Sequence, residues 1–109
     1  MPNAIPSRFS DEQLRVIIEQ AVIYMCACPA QVAEQMLYLR GLHAYQQRCI
    51  NSGGLSEAVH RVIAEATSRA HVELEQCLEQ VLDMEGWDRG ALTMPPGLRQ
   101  LRDEQIERT

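Results

Sequence analysis

The side chains best suited to chemistry in this 109-residue chain are four cysteines and three histidines. Cys26 and Cys28 stand two apart, and Cys49 and Cys77 follow at long intervals. Clustered thiols would suit Cu(I), Zn(II) or a redox pair. If the chain folds back on itself at Asn51-Ser52-Gly53-Gly54, facing residues have numbers summing to about 105, because both arms rise equally per residue. Cys28 then lies level with Cys77, Cys26 lies close by, and Cys49 sits at the far end.

Several features oppose that reading. On one continuous helix, Cys26 and Cys28 point about 200° apart. There is no C-x-x-C pair, and no two histidines stand four apart. The expected role of the cysteines is therefore that of small buried hydrophobes. A thiol-dependent metal or redox site at Cys26, Cys28 and Cys77 is the alternative. Cys28 is the reactive candidate, since a helix N-terminus favours its thiolate.

His43 falls within an apolar stripe and reads as a core or interface histidine with a hydrogen-bond partner. Its alternative role is that of a catalytic base. His60 and His71 read as surface residues. Glu57 precedes His60 by three, but the second copy that a di-iron bundle needs is missing. No glycine-rich phosphate loop and no G-x-S-x-G elbow occurs. No catalytic residue and no cofactor is expected, which ranks an enzyme last among the readings.

The formal charge is −5, and all 10 basic residues are arginines. Without a basic cluster, neither nucleic acid nor an anionic membrane surface is an expected partner. No run of ~18 apolar residues exists to span a bilayer. The N-terminus lacks the pattern of a secretory signal, so a cytoplasmic protein with reduced thiols is expected.

The elements that must position these residues are helical. Residues 1–9, with Pro2 and Pro6, read as a flexible arm. Ser10-Asp11-Glu12-Gln13 matches a capping box and opens a helix expected over 11–27. Its stripe is Leu14, Ile17, Ile18, Ala21, Val22 and Met25. Pro29 forces a break with Cys28 near the N-cap, and a second helix is expected over 29–50. Val32, Met36, Leu39, His43 and Ile50 share one of its faces; Tyr38, Leu42, Tyr45 and Cys49 share another. Gly53 can end this helix, and the short turn makes its neighbours antiparallel.

A third helix is expected over 56–85. Its seam is Val59, Ile63, Ala66, Ala70, Leu74, Cys77, Val81 and Met84, and its outer face is acidic and solvated. Gly86 stops it. In the tail over 87–109, Trp87, Leu92 and Met94 are spaced either to strap the hairpin or to dock a partner. Residues 98–108 suit a short fourth helix.

The fold class is thus all-α: one domain, an antiparallel helical hairpin or bundle of three main helices with a C-terminal strap. The first two helices show more apolar surface than three helices can bury. A homodimeric interaction or regulatory module, with a protein or peptide as a further partner, is the expected function. Tyr38, Leu42, Tyr45, Trp87, Leu92 and Met94 are its candidate contact residues.

Overall fold

The capping box forms as expected. The Ser10 amide donates to Gln13 Oε1 at 2.8 Å, and the Gln13 amide donates to Ser10 Oγ at 3.1 Å. It opens α1, Asp11–Ile23, in a computed structural model that describes residues 5–23, 28–53 and 56–94. Leu14, Ile17 and Ala21 of α1 are fully buried. The expected continuation of this helix to Ala27, including Cys26, lies outside the described residues.

Pro29 occupies the first turn of α2, Cys28–Asn51, where its missing amide hydrogen costs nothing. The helix ends where Gly53 takes the left-handed conformation at φ 68°, with its amide donating to the Ile50 carbonyl at 3.2 Å. Gly41 marks no close approach, since a Cβ there would touch nothing. Then α3, Glu57–Glu85, runs back along α2. Gly86 closes it in a left-handed turn, with the Trp87 amide bound to the Leu82 carbonyl at 3.0 Å.

The face that α3 turns inward differs from the expected seam. Ala64, Thr67, His71, Leu78 and Leu82 are buried, whereas Val59 is 55% and Met84 78% exposed. Ala66 and Ala70 are exposed as well, and Ile63, Leu74, Cys77 and Val81 are only partly covered. Two stripes with alternating spacings of three and four run side by side on this helix. The one that wins carries Leu78 and Leu82, which bury more apolar volume than the alanines of the other.

The N-terminal arm is also not free. Phe9 is buried, and its ring lies under the Arg89 guanidinium, 5.5 Å from the centroid. Arg8 pairs with Glu79 at 2.8 Å. The tail is folded by Asp88, whose Oδ1 accepts from the amides of Gly90 and Ala91 at 2.9 and 3.0 Å. Its own amide donates to the Thr93 carbonyl at 3.0 Å. Leu92 takes a left-handed φ of 57°, a strained choice for leucine that its burial offsets. Trp87, Leu92 and Met94 all enter the core, so this part of the tail is a strap. The short fourth helix expected over 98–108 lies outside the described residues.

The core gathers α1, the first half of α2, the second half of α3, Phe9 and the strap. It occupies the open end of the hairpin and leaves the turn end bare. The molecule measures 58 × 27 × 19 Å, with a radius of gyration of 17.2 Å. A compact chain of this length has a radius of about 13 Å.

Candidate functional site

Two features stand out, one on each side of the α2–α3 hairpin. The first centres on Arg40. Met36, Arg40 and His43 follow one another at helical spacing on the inward face of α2, so the guanidinium is carried into the space between arm and hairpin. Its Nε donates to His71 Nε2 at 3.0 Å. One terminal nitrogen meets Asp11 Oδ1 at 2.5 Å, and the other donates to Ser7 Oγ and the Phe9 carbonyl, both at 2.7 Å. Arg40 thereby joins α3, the start of α1 and the arm.

His71, expected at the surface, is wholly buried. The inward turn of the Leu78–Leu82 stripe takes it along. It accepts from Arg40 through Nε2, so the proton of the neutral ring sits on Nδ1, a buried atom with no partner among the described residues. Burial lowers its pKa below the ordinary 6.5, and the Arg40 charge lowers it further. Glu75 pulls the other way, and His43 adds a small lowering.

Glu75 has work of its own in the arm. Its Oε1 accepts from the Ser7 hydroxyl and, at 2.8 Å, from the Arg8 amide. The outer face of α3 is therefore not simply solvated: Glu75 and Glu79 anchor the arm, Asp83 binds Arg89, and Glu85 accepts from the Trp87 indole.

His43 is buried as expected, without a hydrogen-bond partner among the described residues. It lines a cleft of about 380 Å³ with Ser7, Ser10, Asp11 and Arg40. His60 meets Gln46 Oε1 at 2.6 Å. The chemistry-bearing residues thus gather around Arg40 rather than around the thiols. Cys28 is exposed, Cys49 and Cys77 are half-buried, and all three are free thiols. No group of three metal-binding side chains forms among the described residues.

The second feature is the uncovered face of the hairpin. On α3, the residues that meet α2 and those that meet the arm (Glu75, Glu79) define two adjacent directions. Val59, Val62, Ala66 and Ala70 point in a third, away from the arm, by the ~100° turn per residue. On α2, Tyr38, Leu42 and Tyr45 lie away from Arg40, which meets the arm, and from Ala44, which lines the cleft beside it. Because the helices are antiparallel, both stripes border the same side of the hairpin.

The chain matches no protein-family model, no curated protein and no solved structure.

What the chain does must therefore be read from these two features. Arg40, His71 and Glu75 were missed as a set because Arg40 lies 31 residues before His71. Arg40 alone left a trace in the sequence: it is a cation in phase with Met36 and His43 on an otherwise apolar face. No helix among the described residues is long and apolar enough to cross a membrane.

Proposed function

We propose that this chain is a non-catalytic helical interaction module that works as a homodimer, joined through the uncovered face of the α2–α3 hairpin. The reading rests on the apolar stripe of that face. Tyr38 is 72%, Tyr45 54%, Val59 55% and Val62 65% exposed. With Leu42, these side chains present on the order of 600 Å² of surface, at the upper end of what a monomer exposes and near the ~800 Å² per partner of a standard interface. Two copies stacked on this side would form a four-helix bundle from α2 and α3 of each. A second protein or peptide would then bind as a regulatory partner. The free thiols fit a reducing compartment, and we place the protein in the cytoplasm.

The alternative, a thiol metal or redox protein using Cys26, Cys28 and Cys77, has weaker support: Cys28 and Cys77 differ in exposure and no third ligand joins them among the described residues.

Light scattering at micromolar concentration should give twice the 12.4 kDa chain mass. The Leu42→Glu, Val59→Glu double variant should be a monomer of unchanged helicity. A wild-type monomer would refute self-association. A monomer that dimerises only after removal of residues 95–109 would assign the face to the chain's own C-terminal segment.

A further inference from the structure

We propose that Arg40, His71 and Glu75 form a proton-operated latch that holds the N-terminal arm closed at neutral pH and releases it under mild acid. This inference is independent of the dimer, since the latch lies on the opposite side of the hairpin.

The closed state needs a neutral His71. Its Nε2 must offer a lone pair to the Arg40 Nε hydrogen, 3.0 Å away. A proton added to the ring replaces that lone pair with a donor, so two cations face each other with no acceptor between them. His71 is wholly buried and the Arg40 side chain is only 17% exposed, so water screens the pair weakly. Arg40 is also the group whose other nitrogens hold Ser7, the Phe9 carbonyl and Asp11. Displacing it loosens two arm contacts and the link to the start of α1 together.

Glu75 makes the release two-sided. It stands one helical turn after His71 and is the carboxylate that attracts the charged ring. In the closed state its Oε1 is occupied by the Ser7 hydroxyl and the Arg8 amide. A charged His71 competes with the arm for that oxygen. One proton thus disturbs both anchors, Arg40 and Glu75. The remaining charged groups around the latch are His43 on α2, Asp11 at the start of α1, and the Arg8–Glu79 pair beside the arm. His43 adds to the lowering of the His71 value and so moves release toward lower pH. Asp11 and Glu79 oppose release.

Burial and Arg40 hold His71 below its ordinary value of 6.5. The closed arm is therefore fully favoured above pH 6.5, and that advantage is lost as pH falls through the lowered value.

The test is an NMR titration of the full-length chain from neutral pH to about pH 5, spanning the ordinary histidine range. It follows the His71 ring, hydrogen-exchange protection of the Arg8 amide, and far-UV circular dichroism. Arg8 protection should fall at least tenfold with the midpoint of the His71 ring, while the helical signal holds. His71→Gln keeps a neutral acceptor for Arg40 and should make Arg8 protection independent of pH; His43→Gln should leave the transition in place. If His71→Gln does not fold, Glu75→Gln should move the His71 midpoint to lower pH. The proposal is overturned if the ring titrates while Arg8 stays protected, if His71→Gln keeps the transition, if Glu75→Gln leaves the midpoint unmoved, or if arm and helices melt together.

Discussion

Replacing Arg40 with alanine removes the group on which arm, α1 and α3 converge. The cost follows from what is left behind. His71 Nε2 loses its donor inside a fully buried ring, and the part-buried Phe9 carbonyl loses one as well. A buried acceptor stripped of its partner costs about 1–3 kcal/mol. The Asp11 carboxylate is 56% exposed, so its ion pair adds only ~0.5 kcal/mol. The expected loss is about 3 kcal/mol. For a chain of this length that lowers Tm by ~12 °C. Thermal unfolding followed by circular dichroism, at one protein concentration because self-association would add to stability, measures it. Arg40→Met keeps most of the apolar stem and should lose nearly as much, since the bonds carry the effect. The double variant Arg40→Met, His71→Leu removes both polar partners and should recover most of the loss. A loss under ~1 kcal/mol in Arg40→Ala, or a double variant no better than the single one, would show that Arg40 does not hold the arm and that Phe9 burial and the Glu75 and Glu79 contacts do.

The phase of α3 has its own check. Leu82→Ala should cost about 3 kcal/mol by chemical denaturation, whereas Met84→Ala should stay within ~0.5 kcal/mol; the seam expected from sequence demands the reverse order. Ser10→Ala removes one half of the reciprocal cap at the start of α1 and should cost ~1 kcal/mol in the same assay.

How much of this was legible in the sequence depended on whether the signal was local. The capping box at Ser10, Pro29 in the first turn of α2, the left-handed Gly53 and the stop at Gly86 each act within a few residues, and each stands where expected. The seam of α3 was not local. Val59–Met84 and Ala64–Leu82 have the same spacing, and only the matching faces of α1 and α2 decide between them. His71 was misplaced for the same reason, since a histidine in the losing phase looks exposed. The arm was misread because Pro2 and Pro6 exclude a helix without excluding order. Ser7, Arg8 and Phe9 are fixed by Glu75, Glu79 and Arg40, which lie far along the chain.

The unequal lengths of the helices link the two functional features. At 13 residues, α1 is about 20 Å long and reaches along α2 only as far as Arg40, where Asp11 meets the guanidinium. Beyond that level, α2 and α3 continue toward the turn with polar and small residues between them: His43, Gln46 bonded to His60, Ala64 and Thr67. No large apolar side chain among the described residues of this half is fully buried, so it gains less hydrophobic stabilisation than the open half. The latch marks where the molecule's own core ends, and the exposed Tyr45, Val59 and Val62 lie beyond it. In the proposed dimer the turn half should therefore draw its stability from the second copy, and the open half from the arm. Acid that opens the arm should weaken the open half first. Dilution that separates the dimer should raise hydrogen exchange near residues 43–64 first. The two perturbations act at opposite ends of one hairpin and can be told apart residue by residue.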